Sequence, residues 1–493
     1  MYHFRLSLLV IFFFTVSLRA SELSIPSITK LMNEARETWE VPGVYVVIVT
    51  KDKILYTQGC GTQTLGKNIP ITEKTLFPIA SCSKAFITTL IGQLVDEEKM
   101  HWDDRVQKHL KNFRLSDKNA NELVSIRDLL CHRTGVASHD LIWYRAKWKM
   151  PEMIERAGKL PLSRPFRQDL QYQTVLFSAA GLAAAEVTGE PWPELLKRKL
   201  LSPLELNDTF THPDLAPKEN RCSGHMLNEK DELIPTDWYI APDLDPACSL
   251  HSSPRDIAKW LQFFLNQGEY QGKRLISEQS LAEIFTPQIV IRPEGVTRDL
   301  APESNLLSYG LGWVIQDYRG KLIYAHAGLI DGFRVQFTLL PKEGYGIAVF
   351  ANKHDTRLPL ALSCTLTDHL LKLEPKKWNS YYIELIERAE LEQKIQRRRL
   401  EQRRQGIKPT FDLSEYVGKY ANPAYGIGTI KLMKDHLYWE WGNFGGELKH
   451  WEGDIFELQH PDRRVNGSLL GFQIEKGKIL SVRWGDTGIF QKE

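Results

Sequence analysis

Apolar residues recur along this chain with two different periods. Ile28, Leu31, Met32, Ala35 and Trp39 fall three and four apart, which predicts an amphipathic first helix, ended by Pro42-Gly43. Residues 44–49 are a β-branched run, Lys51-Asp52-Lys53 is a polar turn, and Ile54-Leu55-Tyr56 resumes strand character, so this stretch predicts a hairpin. From Lys84 the period becomes helical again through Ile87, Leu90, Ile91, Leu94 and Val95, and helical signals dominate between about 100 and 300. Strands return at 322–325, 335–339 and 345–350, and a helix is expected over 358–373. Strands near both ends of this region bracket a helical middle. The expected fold class is therefore α+β, an antiparallel sheet flanked by helices with a large helical insertion.

Two further patterns follow. Residues 381–404 predict a charged helix, acidic first and basic last, which suits the helix dipole. A solvated connector is the favoured reading, ahead of a surface for an acidic partner or anionic lipid. Beyond Gly406 and Pro409, short strand-like runs at 428–432, 436–441, 455–458, 472–474 and 479–484 predict a small all-β, barrel-like domain. Its Trp439, Trp441, Trp451 and Trp484 read as core, with a ligand-lining role as the alternative. The expected division is a signal peptide over 1–20, a main domain over 22–374, a charged helical linker over 375–410 and the β domain over 411–493.

Composition narrows the function. A net charge of +2 over 493 residues gives no bulk electrostatic case for nucleic-acid binding, and 42% hydrophobic residues exclude a disordered chain. Arg5, the apolar run 6–18 and the small Ala20-Ser21 read as a secretory signal, with an uncleaved anchor as the alternative. The expected location is secreted or periplasmic, with no stable membrane span after cleavage. Six irregularly spaced cysteines predict no disulfide framework, although Cys222 with Cys248 is one pairing open to an exported chain.

The chemistry-bearing segment is 77–86, FPIASCSKAF. Ser81 and Lys84 stand three apart where a buried helix begins, so hydroxyl and amine share one face. A serine hydroxyl needs a neighbouring base, and an ammonium becomes one only when burial or a helix N-terminus weakens its hold on the proton. Ser-x-x-Lys alone is weak, since Ser27 and Lys30 repeat it outside any such context. Tyr172 precedes a helix expected over 175–187 and capped by Gly189, and a phenol there has the chemistry to hold the serine proton. His326-Ala327-Gly328 follows the strand at 322–325, and its glycine permits close backbone approach. The stretch 61–68, GTQTLGKN, lacks the Ser/Thr of a phosphate loop and reads as a turn.

The order Ser-x-x-Lys, Tyr, His-x-Gly resembles the serine β-lactamase-related family, which includes class C β-lactamases, D-alanyl-D-alanine carboxypeptidases, D-aminopeptidases and esterases. The stretches 126–135 (IRDLLCHRTG), 246–260 (PACSLHSSPRDIAKW) and 309–313 (YGLGW) support the likeness, and 413–423 (LSEYVGKYANP) resembles a lipocalin-like domain appended to some members. The resemblance implies Ser81 as acylated nucleophile, Lys84 as its base or proton relay and Tyr172 as second acid/base. It puts His326 where the family's third-motif lysine stands, orienting substrate or stabilising charge. The N–H groups of Ser81 and Leu329, beside Gly328, would form the oxyanion hole. The family's Tyr-x-Asn is here Tyr172-Gln173-Thr174, and Thr174 lacks the second polar atom of an amide. The implied activity is an acyl-enzyme hydrolase of a small peptide, a β-lactam or an ester, with peptidase or esterase favoured over β-lactamase. The alternative is a catalytically weak binding protein that keeps the fold. No cofactor, metal or nucleic acid is implied, and a homo-oligomer is compatible with the sequence.

Overall fold

The computed structural model describes residues 25–493 except 241, 242, 244, 403 and 464. The expected signal segment, 1–20, lies outside them. Its centre is an eight-stranded antiparallel sheet. The elements used below are α1 (Ile25–Thr38), β1 (Gly43–Val49), β2 (Ile54–Gly61), α2 (Ser83–Asp96), α3 (Thr174–Thr188), β3 (Gly224–Leu227), β4 (Leu233–Thr236), α4 (Pro254–Leu265), β5 (Ile289–Val290), β6 (Leu307–Tyr309), β7 (Val314–Tyr318), β8 (Lys321–Ile330), β9 (Phe333–Leu340), β10 (Tyr345–Ala351), α5 (Leu358–Leu370) and α6 (Trp378–Gln402). In these labels the sheet runs β2-β1-β10-β9-β8-β7-β6-β5. The first hairpin therefore pairs with the last strand of the region, Val44 opposite Ala351 through Val49 opposite Gly346.

Both faces of the sheet are covered. Every residue of β1 is buried, and alternation assigns them to two cores. Val44, Val46 and Ile48 pack with Ile28, Met32 and Ala35 of α1 and Leu358 and Leu362 of α5. Tyr45, Val47 and Val49 face the larger core, which holds Phe86, Ile87 and Leu90 of α2 and Trp260 and Leu261 of α4. That second core explains α2. Its residues from Ser83 to Leu94 are all buried, so this helix is apolar around its whole circumference rather than along a stripe.

Two details differ from expectation, and one open alternative is decided. The strand expected at 322–325 runs on to Ile330, so His326-Ala327-Gly328 lies inside β8 rather than after it. Pairing with β9 sustains the strand past the glycine, from Tyr324 opposite Leu339 to Ile330 opposite Phe333. The helix expected to reach residue 373 stops at Leu370. All six cysteines are free. Cys222 donates instead to the Leu76 carbonyl at 3.3 Å and Cys248 to Asp245 at 3.0 Å, so the Cys222–Cys248 bridge does not form.

After α6 the chain forms a closed eight-stranded antiparallel barrel of Gly418–Asn422, Gly426–Met433, His436–Trp441, Phe444–Glu452, Ile455–Gln459, Leu469–Glu475, Lys478–Trp484 and Gly488–Lys492. Closure leaves no open sheet edge. Aromatic rings fill the interior: Trp439, Trp441, Trp484 and Phe490 are buried, with indole centroids 5.4 and 5.6 Å apart. Trp451 lies elsewhere, under the guanidinium groups of Arg397 and Arg404, 4.1 and 4.8 Å from its ring centroid. At its start α6 is anchored to the sheet region, where Trp378 donates to Asp368 at 2.8 Å and Tyr382 to the Leu300 carbonyl at 2.8 Å. The charged helix is thus bolted at both ends. No helix among the described residues is long and apolar enough to cross a membrane.

The ring packing generates a prediction. A Cβ at Gly428 would stand 1.9 Å from the Trp439 ring. Gly428→Ala is expected to cost about 1–3 kcal/mol by overpacking, seen as a lower urea midpoint in tryptophan fluorescence. An unchanged midpoint would mean that the barrel interior has room to spare.

Candidate active site

The approach to α2 is built by two segments lying side by side. Phe77 and Pro78 pair with Ser252 and His251, the Ile79 N–H donates to the Leu250 carbonyl at 2.9 Å, and the Leu250 N–H donates to Ser83 Oγ at 3.1 Å. Between them Ala80 takes φ 45°, a left-handed conformation that costs a residue with a Cβ roughly 1–2 kcal/mol. A single 3-10 turn, Ala80–Cys82, then leads into α2. This turn holds Ser81 half-exposed while Lys84, one turn later, has no exposure at all.

Lys84 Nζ lies 3.1 Å from Ser81 Oγ and donates to the Ala247 carbonyl at 3.3 Å. The rest of its surroundings is aromatic, with the Tyr172 and Phe177 ring centroids 4.9 and 5.4 Å away. No carboxylate pairs with it among the described residues. The Ala247 carbonyl is itself aimed by a turn. Buried Asp245 accepts from the Ala247 N–H at 2.8 Å and from Cys248 at 3.0 Å, and Ser178 of α3 donates to the same carboxylate.

Tyr172 reaches the cluster from a short extended segment before α3. Gln173 caps that helix by accepting from the Val175 N–H at 3.0 Å, and its amide donates to the Ala137 and Ser138 carbonyls at 2.7 and 2.9 Å. Thr174 is buried as the first residue of α3. No hydrogen bond joins the Tyr172 hydroxyl to Ser81 or Lys84 among the described residues. The phenol is placed by ring contacts, with His132 at 4.1 Å, Tyr309 at 6.3 Å and His326 at 6.4 Å between centroids. Catalytic hydrogen bonds often tighten only when substrate arrives.

His326 projects from β8 into the same cluster. Its Nδ1 lies 2.8 Å from the Ala327 carbonyl, which only accepts, so Nδ1 carries the proton. Nε2, 2.9 Å from the Tyr309 hydroxyl, is then the acceptor of that O–H. Burial, with Lys84 as a second cause, pushes its pKa down to about 3. The imidazole is thus neutral at ordinary pH. It differs in this from the lysine whose position the resemblance assigned to it, and burial, with Lys84 nearby, is the cause.

Gly328 and Leu329 complete the arrangement. A Cβ at Gly328 would meet the Ile79 carbonyl oxygen at 2.2 Å, so only glycine lets β8 lie against the turn bearing Ser81. Cys82 ties the two from the other side by donating to the His326 carbonyl at 3.4 Å. Counting back from the tight turn at Ile330 and Phe333, antiparallel alternation directs the Leu329 N–H away from β9, past the start of β7 at Val314. The structure therefore brings Ser81, Lys84, Tyr172, His326, Gly328 and Leu329 into one region, while Thr174 stands at the start of α3 with no bond to them among the described residues.

Four residues of the cluster were not singled out from sequence. Tyr309 and His132 lay inside stretches quoted for family likeness, but nothing gave either a task. His132 is 1% exposed, accepts from the Gln173 N–H at 3.1 Å on Nδ1 and has no partner for Nε2. Buried Asp128 fixes its loop by pairing with Arg133 and Arg167. Gln173 and Asp245 act through turns, which leave no residue spacing to read.

Comparison with known proteins fits this geometry. A family model described as Beta-lactamase matches residues 29–361, well over half of the chain. The chain belongs to the β-lactamase family. A second model, described as a domain of unknown function (DUF3471), matches residues 402–492, which contain the barrel. Unguisins hydrolase ungD' of Aspergillus campestris (strain IBT 28561) is 26% identical over 420 residues, covering 81% of this chain and 76% of that protein. Protein flp of Staphylococcus aureus (strain N315) is 23% identical over 357 residues, covering 71% and 67%. Among solved structures, the octameric penicillin-binding protein homologue from Pyrococcus abyssi superposes with TM-score 0.63 at 19% identity, covering 95% of this chain and 100% of that one. The D-amino acid amidase from Ochrobactrum anthropi SV3 gives TM-score 0.58 at 22% identity, covering 70% and 96%. As a β-lactamase-family protein the chain is a serine hydrolase.

Several histidines of this β-lactamase-family core are buried and neutral. Burial pushes His326 and His251 down to about 3, and His132 well below its ordinary value. Between pH 6.5 and 3 the unfolded chain therefore binds protons that the folded one refuses, and stability falls as pH drops through that window. The slope is up to about 1.4 kcal/mol per pH unit for each such residue. Asp256, pushed up to about 6 by burial, acts in the opposite direction from its ordinary 3.8 upward, but it is one group against several. The urea midpoint is expected to decline steadily below pH 6.5, less steeply in His251→Phe. A midpoint flat from pH 6.5 to 4 would contradict this.

Proposed function

We propose that the chain hydrolyses the amide bond of a small peptide through an acyl-enzyme on Ser81, outside the cytoplasm. One observation carries the mechanism: Lys84 Nζ lies 3.1 Å from Ser81 Oγ in a fully buried position. In its amine form Lys84 takes the Ser81 proton as Oγ attacks the scissile carbonyl. The carbonyl oxygen, now anionic, is received by the N–H groups of Ser81 and Leu329, donors of a kind often worth about 3 kcal/mol of barrier each. The C–N bond then breaks, and the departing amine takes up the proton through Lys84 and Tyr172. A water attacks the ester, returns its proton along the same route, and frees Ser81. Tyr309 and His326 act as positioning residues, since their mutual hydrogen bond holds a neutral wall beside Tyr172.

Amides are favoured by the relatives. The solved neighbours include a D-amino acid amidase and a D-stereospecific amidohydrolase, and one curated relative is an unguisins hydrolase. Thr174 in place of an Asn side chain supports a peptide or ester over a β-lactam, because it offers one hydroxyl where an amide offers two polar atoms. Export rests on the 1–20 segment alone.

A fluorophosphonate probe and intact-mass analysis test this. The probe is expected to label Ser81, and label is expected to vanish in Ser81→Ala. Lys84→Met is expected to lower kcat on a D-amino acid amide by about 10²–10⁴-fold, the usual worth of a positioned base, with KM little changed. A folded wild-type protein that takes no label and turns over no amide or ester would sink the catalytic reading.

A further inference from the structure

One cleft lies outside the catalytic cluster. It has a volume of about 750 Å³ and runs between the β3–β4 hairpin and the barrel loop containing Pro461 and Arg463. Its position gives it meaning. Two of its lining residues bond the two residues that immediately follow Leu329, Ile330 at the end of β8 and Asp331 in the turn beyond it. His354 Nδ1 is 3.3 Å from the Ile330 carbonyl, and Arg145 reaches the Asp331 carboxylate at 3.3 Å. Through these two bonds the cleft wall is attached to the end of the strand that carries the Leu329 N–H.

We propose that this cleft binds the chain of a peptide substrate beyond the residues that flank the scissile amide. The inference rests on the acyl-enzyme reading and adds a substrate class to it, a peptide several residues long with little net charge.

The lining supports that class. Neither sign of charge dominates, since three basic side chains line it beside four acidic ones among the described residues. Such a surface suits neither a polyanion nor a polycation. Ile234 projects with 43% exposure beside Met226 and Pro235, an apolar patch for side chains. Strand β4 pairs only with β3 among the described residues, so its outer edge offers backbone groups to an extended chain, apart from the N–H that Pro235 lacks. The volume falls within the 300–1,000 Å³ typical of sites for ligands of this size.

The barrel supplies the far wall. Asn443 donates to the Arg145 carbonyl, and Arg463 bonds the Asn228 carbonyl and Asp231, the latter at 2.7 Å. The cleft exists because the barrel is docked, and a bound peptide touches both parts of the molecule.

The test uses the full chain and alanine peptide amides of one to six residues, in D and in L configuration. In wild type, kcat/KM is expected to rise at least tenfold from one residue to five. Thr236→Trp, which fills the cleft, is expected to remove most of that gain through KM. Ile234→Trp is the second variant should the first fold poorly. A length gain that survives both fillings, or no gain with length, overturns the inference. Turnover and binding are separated by titrating hexa-alanine amide into Ser81→Ala protein. Binding weakened tenfold by Thr236→Trp supports the cleft even if no amide is hydrolysed, whereas absent or unaltered binding overturns it.

Discussion

A lysine amine with no solvent exposure and no carboxylate partner among the described residues is the constraint around which the centre of this molecule is arranged. Taking an ammonium out of water costs several kcal/mol even after relaxation. What Lys84 receives in return is small: one hydroxyl, one peptide carbonyl and two aromatic faces. Each is held from behind. Ser81 is fixed by the strained turn at Ala80, the Ala247 carbonyl by the Asp245 turn, and Tyr172 by the Gln173 cap and the His132 stack. A group placed at such cost, one helical turn from a serine, is what nucleophilic catalysis asks for. Simple packing would have been served by leucine.

The same constraint accounts for the histidines. His132 and His326 both feel Lys84, and both are held neutral by burial and its field. The cluster therefore contains one potential cation surrounded by neutral donors and acceptors. His326 contributes by accepting from Tyr309.

Much of the architecture is legible in the sequence because it follows from periodicity. The β-branched run at Val44, the helix from Lys84 and the short runs beyond Gly406 each carry a period that survives folding. The Ser81–Lys84 pair was legible for the same reason, since spacing on a helix fixes proximity. The strand expected at 322–325 was read too short, because pairing with β9 carries it past Gly328 to Ile330. Tyr309, His132 and Asp245 were silent because their roles depend on which distant segments meet. His132 stacks on Tyr172 across forty residues of chain, and no period records that contact.

The barrel shows how closure and filling together decide what a β domain can do. A barrel with an open lumen offers its interior to a ligand, but here Trp439, Trp441 and Trp484 take up that space. Gly428 is needed because an indole already lies where its Cβ would be. What such a barrel has left to offer is its outer surface. Three of its contacts with the hydrolase region fall on the loop that follows Ala137 and Ser138, whose carbonyls bond Gln173 beside Tyr172. Tyr425 meets His139 at 2.8 Å, Asn443 holds the Arg145 carbonyl, and Trp441 lies edge-on to Trp148. A filled body pressed on that loop lies against the segment whose carbonyls hold Gln173. By its contacts the barrel thus supports the segment of its neighbour that carries Tyr172.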